Sequence, residues 1–212
     1  MTAANKLTLL RLALVPGFMV FMFFDHFWTR VASLIIFIAA SLTDWYDGKI
    51  ARETGTVTVI GTFLDPLVDK MLIAAALVGF VELPELHIRA WMVVLIISRE
   101  FLITGLRSLA ASRGVMMAAE GAGKYKMVSQ ITAIIIILII LILNAGFEKW
   151  PQMAPDSSGG GPLIFLEVLE RTPFWLVFWV LILTIVSGYL YIRKYSDLLK
   201  REFSMLNMAK AS

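Results

Sequence analysis

Residues 44–69 read DWYDGKIARETGTVTVIGTFLDPLVD and join the ends of two long apolar segments. Asp44 and Asp47 are spaced i, i+3 at the end of the first, and Asp65 and Asp69 i, i+4 at the start of the second, so on helices each pair projects from one face. A charged carboxylate at the centre of a bilayer helix costs roughly 2.5–3.5 kcal/mol on insertion scales, so carboxylates in such segments line a polar cavity and mark function. Four together require a cation.

The flanking sequence confirms lipid as the solvent to expect. With 59% hydrophobic and 17% charged residues and a mean hydropathy of +0.81, the 212-residue chain is more apolar than a soluble domain of that length needs to be. Spans of about 20 apolar residues fall at approximately 7–24, 31–52, 62–82, 88–112, 125–145 and 173–193. Helix is the expected form, because isolated strands leave their backbone groups unsatisfied in hydrocarbon and the alternation of a membrane barrel is absent. The sequence therefore predicts an all-α polytopic membrane protein of six transmembrane helices, one domain over residues 1–212. The first segment follows Lys6 and Arg11 as a signal peptide would, but it ends in FFDHFW without a small-residue cleavage site, which favours a retained helix.

Orientation follows from the basic residues. With a cytosolic N-terminus, six spans return the C-terminus to the cytosol, and only Arg30, Arg89, Lys149 and Arg171 of the nineteen Lys and Arg lie in outer connections. The same orientation puts all four aspartates at the cytoplasmic face of the inner (cytoplasmic) membrane. The stretch 146–172, with PQMAPDSSGGGP at its centre, reads as an irregular outer connector. The tail from about 194 to 212 is basic, and YIRKYSDLLKREF suits a segment lying on anionic headgroups, although a solvated tail fits almost as well. A net charge of +3 is too mild for a nucleic-acid partner, and the absence of cysteine removes thiolate metal sites and a Cys nucleophile.

Oxygen-only ligands suit Mg2+, Mn2+ or Ca2+ rather than a soft metal. Two helices side by side suit two ions about 3.5–4 Å apart, the arrangement that clamps a phosphoryl centre during displacement. Gly48, Ala51, Gly55 and Gly61 surround the carboxylates and permit close approach of a helix or a flat ligand, with plain helix packing as the alternative. A second cluster is basic. Arg99, Arg107, Lys124 and Lys126 stand at the inner ends of the fourth and fifth spans, and Glu100 is placed to orient Arg99. Arginine forks match phosphate oxygens, and positive-inside anchoring accounts poorly for Arg99 and Arg107, which fall inside an apolar stretch. His26 and His87 lie in outer connections, away from the carboxylates, and Trp28, Trp91 and Trp150 suit the outer aromatic belt.

The eight positions Asp44, Asp47, Gly48, Ala51, Arg52, Gly61, Asp65 and Asp69 resemble the complete signature of the CDP-alcohol phosphotransferases. The resemblance implies that family's fold, and Asp44, Asp47, Asp65 and Asp69 as ligands of two divalent ions, Mg2+ or Mn2+. It also implies Asp69 as general base, with a ligand-only role for Asp69 as the alternative. Asn5, Thr8, Asp47, Gly48, Ala51, Arg52 and Gly61 would hold the cytidine nucleotide, although Ala4 stands where relatives have Pro and Asn5 also reads as an N-cap.

LDPLVDKMLIA, SREFLITGLR and GAGKYKM resemble the bacterial phosphatidylglycerophosphate synthases within that family. That implies CDP-diacylglycerol as donor and sn-glycerol 3-phosphate as acceptor, its phosphate on Arg99, Arg107, Lys124 and Lys126 with Thr104 nearby, and a homodimer in membrane lipid. Inositol phosphate, serine, or phosphatidylglycerol as in a cardiolipin synthase, remain alternative acceptors. An ion-transport pathway would call for carboxylates at the midplane and broken helices in matching halves.

Overall fold

The computed structural model describes residues 3–54, 59–112, 121–150 and 160–211, with side chains described for 10–43, 70–111, 123–150 and 167–196. Every regular element in them is helical: α1 (Ala3–Phe23), α2 (Phe27–Thr54), α3 (Val59–Glu82), a 3-10 turn (Pro84–Leu86), α4 (Ala90–Ser112), α5 (Gly121–Lys149) and α6 (Gly160–Ala211). Each of the six apolar segments of the sequence falls on one of the six helices. Two stretches, Gly123–Lys149 and Glu167–Ser196, are long and apolar enough to cross a membrane, and shorter apolar helices run over Leu10–Phe23 and Phe27–Thr43. α4 interrupts its apolar run with Arg99, Glu100 and Arg107, the feature that makes it a wall of the site described below.

Helix α1 packs on α2 and α3, α5 bridges α2 and α6, and α4 lies between α3 and α6. Phe18, Phe37, Phe80, Met92, Ile96, Ile134, Ile137 and Leu141 fill the centre, all fully buried, and the rings of Phe18 and Phe37 meet at 5.7 Å. A Cβ on Gly79 would collide with the Met22 methyl, so glycine there lets α1 lie close on α3. Outside, large apolar side chains stand exposed on α1 (Val20, Phe21), α4 (Val94, Leu95, Leu102) and α6 (Trp175, Trp179, Ile185). An apolar surface of that extent is stable against lipid rather than water.

The end of the bundle that holds the α1–α2 and α3–α4 connections is tied by charge. Arg30, 3% exposed, reaches both Asp25 and Glu85 at 2.8 Å, linking those two connections. His87 takes a left-handed conformation after the 3-10 turn and lies 3.7 Å from Glu170 of α6. Lys149 stands over the rings of Trp28 and Trp150, at 5.5 and 4.7 Å, an aromatic cluster suited to a membrane interface.

The irregular connector expected over 146–172 is shorter than its composition suggested. α5 continues to Lys149 and α6 already begins at Gly160, while 151–159 lie outside the described residues. The reason is local: LIFLEVLER, residues 163–171, is rich in helix formers, and Pro162 falls in the first turn, where its missing N–H is harmless. A Glu167–Arg171 pair at 2.8 Å supports the next turn. The helix then passes through Pro173, with the Thr172 hydroxyl donating to the Val168 carbonyl at 2.6 Å. At the other end α6 runs unbroken to Ala211, so the basic tail is helical.

Candidate active site

A cavity of about 330 Å³ opens between α3, α4, α5 and α6, at the small end of the range for small-molecule sites. Its walls carry Lys70 from α3, Arg99 and Arg107 from α4, and Lys124 and Lys126 from α5, with Glu100 as the one carboxylate among the described lining residues. Thr104, Ser108, Gln130, Ser187 and Tyr191 add hydroxyl and amide groups. All five residues singled out in the sequence for acceptor phosphate, Arg99, Thr104, Arg107, Lys124 and Lys126, therefore line one space. They reach it because α4 and α5 both present the inner turns of their helices to it: Arg99, Ile103 and Arg107 recur at helical spacing on α4, as do Gly123, Lys126 and Gln130 on α5.

The charges are arranged, not merely collected. Glu100, 14% exposed, accepts from Lys70 Nζ at 2.7 Å through Oε2 and pairs with Lys126 through Oε1. Arg99 Nη1 is more distant from Glu100, at 3.6 Å. Glu100 thus pairs with Arg99 as expected, but it also tethers the two lysines across α3 and α5, and Arg99 is held from α6 as well. Arg99 Nη2 donates to Ser187 Oγ at 3.0 Å, and Ser187 Oγ donates in turn to the Thr184 carbonyl at 3.1 Å. Gly188 leaves room for the arginine stem, since a Cβ there would sit 3.0 Å from Arg99 Nε and 3.2 Å from Cγ. Tyr191 and Tyr195, ring centroids 4.8 Å apart, close the α6 side together with Ile103.

Among the described lining residues, five cations stand with one carboxylate, a lining of positive potential, which attracts anions. Arginine and lysine donors to phosphate are charge-assisted and short. Lys70, the residue directly after Asp69, lines this recess.

The four aspartates themselves lie on continuous helix. Asp44 and Asp47 belong to the C-terminal part of α2, and Asp65 and Asp69 to the N-terminal part of α3. Their side chains, and those of Asn5, Thr8, Gly48, Ala51, Arg52 and Gly61, lie outside the described residues. Among the described residues no group of three or more His, Cys, Asp or Glu side chains gathers as a metal site. The donor chemistry of the four aspartates fits a hard divalent ion.

The model of the CDP-alcohol phosphatidyltransferases matches residues 1–186. The chain belongs to that family. Among similar proteins, the CDP-diacylglycerol–glycerol-3-phosphate 3-phosphatidyltransferase of Bacillus subtilis is 40% identical over 210 residues, covering 92% of this chain and 96% of its own length. A probable phosphatidylglycerophosphate synthase of Mycobacterium tuberculosis is 44% identical over 134 residues, 62% of this chain and 63% of that one. A chloroplastic and mitochondrial CDP-diacylglycerol–glycerol-3-phosphate 3-phosphatidyltransferase of Arabidopsis thaliana is 35% identical over 159 residues, 69% and 54%. The chain thus carries two regions of opposite charge: carboxylates on α2 and α3, and a basic recess on α3 to α6.

Sequence reasoning missed several residues of that recess. Lys70 was visible as the neighbour of Asp69, and Gln130 as the residue one helical turn beyond Lys126. Ser187 and Gly188 carry no local signal, because their role depends on an arginine 88 residues away in sequence.

Proposed function

We propose that this phosphatidyltransferase moves the phosphatidyl group of CDP-diacylglycerol onto sn-glycerol 3-phosphate, giving phosphatidylglycerophosphate and CMP. The observation that carries the reading is the basic cavity lined by Arg99, Arg107, Lys124 and Lys126, with Lys70, the residue after Asp69, also on its wall. A phosphorylated acceptor held there lies next to the helix that bears the last signature aspartate. The names of the relatives in Bacillus subtilis and Arabidopsis thaliana support glycerol 3-phosphate in particular.

Arg99, Arg107, Lys124 and Lys126 bind the acceptor phosphate, and Thr104 offers a hydroxyl to the glycerol. Asp69 takes the proton of the attacking hydroxyl as its oxygen bonds to the diacylglycerol-linked phosphorus and the bond to CMP breaks. Asn5, Thr8, Gly48, Ala51, Arg52 and Gly61 hold the cytidine nucleotide. Asp44, Asp47, Asp65 and Asp69 would hold two divalent ions, Mg2+ or Mn2+, which supply countercharge to the pyrophosphate and the leaving CMP. The single domain of residues 1–212 crosses the inner membrane six times as a homodimer, both termini and the active site facing the cytosol.

The deciding experiment is chromatographic identification of the lipid made from CDP-diacylglycerol with each candidate alcohol. Phosphatidylglycerophosphate as the main product is expected. Preferential use of inositol phosphate, serine or phosphatidylglycerol would replace the acceptor and leave the family reaction standing.

A further inference from the structure

Gln130 is the most deeply placed polar side chain of the basic cavity on α5. It is 2% exposed, yet its amide nitrogen has no hydrogen-bond partner among the described residues. A buried donor left unpaired costs about 1–3 kcal/mol, so its presence in a native fold calls for an explanation. The cavity supplies one. Gln130 lines it together with Leu77 and Ile97, one turn further along α5 than Lys126 and about two beyond Lys124. The cations Arg107 and Lys124 stand near the adjoining ends of α4 and α5, whereas Gln130, Leu77 and Ile97 are set back along their helices. Gln130 is thus a neutral polar side chain set back from Arg107 and Lys124, with the apolar Leu77 and Ile97 among the residues lining the same part of the recess.

We propose that Gln130 hydrogen-bonds the non-reacting middle hydroxyl of the acceptor and so selects a polyol phosphate over a phosphorylated alcohol lacking that group. A phosphate held by Arg107 and Lys124 leaves the carbon chain to extend along the cavity toward Gln130. A hydroxyl both donates and accepts, so it satisfies the amide in either orientation of its nitrogen and oxygen. A site built to pair with a hydroxyl rejects the analogue without it, because the buried polar group is then left alone. This inference rests on the proposed use of the cavity as the acceptor site, and its test separates the two.

The probes are glycerol 3-phosphate and propane-1,3-diol monophosphate, which keeps the attacking hydroxyl and the phosphate but lacks the middle hydroxyl. The full-length protein in detergent should show a KM for glycerol 3-phosphate about two- to tenfold below that for the analogue, the range of one neutral hydrogen bond. In Gln130→Leu the two KM values should converge by a rise in the first, with the KM for CDP-diacylglycerol unchanged. Gln130→Met, of closer shape, provides the same reading where the leucine variant does not fold. Arg107→Ala is measured in parallel. If it leaves the KM of both acceptors unchanged, the cavity is not the acceptor site. If it raises both while the Gln130 variants keep the wild-type discrimination, or if the wild type shows none, the Gln130 assignment alone is overturned.

Discussion

The carboxylate region and the basic cavity meet at Asp69 and Lys70, but they are built in different ways. The carboxylates occupy 26 consecutive residues at the adjoining ends of two successive helices. Among the described residues the cavity is gathered from four helices, and depends on tertiary contacts such as Arg99 to Ser187 and Lys70 to Glu100. A local cluster of like charges needs a ligand of opposite charge merely to exist in lipid. A dispersed cluster is already partly neutralised by its own counter-ion and is tuned by its neighbours. The two regions are therefore expected to divide the kinetics, the carboxylates acting on turnover and the cations on acceptor affinity.

The largest expected effect tests the carboxylate half. Removal of divalent ions with EDTA should abolish activity, and Mg2+ or Mn2+ should restore it; full turnover in metal-free buffer would dissolve the contrast. Asp69→Asn keeps an oxygen while removing the base, and should lower kcat by about 100-fold or more with a smaller change in the KM for CDP-diacylglycerol. Near-normal turnover in that variant would leave Asp69 with no part in proton transfer.

The second test reverses the signature. Arg107→Ala removes a charge-assisted contact worth roughly 1.5–3 kcal/mol, or about ten- to a hundred-fold in affinity. The KM for glycerol 3-phosphate should rise by that factor while the KM for CDP-diacylglycerol stays close to wild type. Equal KM values with a loss of stability would mean that these cations anchor the helices to anionic lipid and take no part in the site.

How much of this was legible in the sequence follows the same division. The helices were readable because lipid demands long apolar runs, and the signature aspartates because their spacing is local. Arg99 and Arg107 were readable as charges where hydrocarbon forbids them. The start of α6 was misplaced because Pro and Gly at 151–162 mask a helix-forming run immediately after them. The partners of Glu100 were legible only in part for a related reason: adjacency pointed to Arg99, an ion pair at 3.6 Å, but gave no indication of Lys70, 30 residues earlier, or Lys126 on α5. Side chains adjacent on a helix diverge by about 100°, so the shorter contacts of Glu100 come from other helices.

Glu100 itself provides the third test. Its carboxylate pairs with Lys70 and Lys126 inside the bundle, and neutralising it removes one shared negative charge from the half-buried Lys70 and the buried Lys126. Glu100→Gln should lower Tm, by roughly 2–4 °C for each kcal/mol lost in a chain of this size. An anion in the cavity replaces the missing charge, so inorganic phosphate or glycerol 3-phosphate should raise Tm more in the variant than in the wild type. An identical ligand-induced rise in both would show that Glu100 and the acceptor phosphate do not share the same cations.

The smallest effect probes the finest part of the dispersed site. Gly188 lies against the Arg99 stem, and a methyl group there would approach Nε to 3.0 Å and Cγ to 3.2 Å, closer than ordinary carbon contacts of about 3.5–4.0 Å. Gly188→Ala must therefore move the guanidinium by a few tenths of an ångström or strain its bond to Ser187. Helix propensity acts in the opposite sense, since alanine favours α6 by up to about 1 kcal/mol over glycine. The expected result is a variant as stable as the wild type or more so, with a KM for glycerol 3-phosphate raised by about two- to fivefold, part of one charge-assisted contact. The combination separates positioning from packing: a change that merely disturbed the helix interface would lower Tm and leave the acceptor KM alone. Ser187→Ala should give a similar rise in KM, and the double variant should add little, because both substitutions release the same guanidinium. Full additivity would mean that α6 holds Arg99 at two independent points.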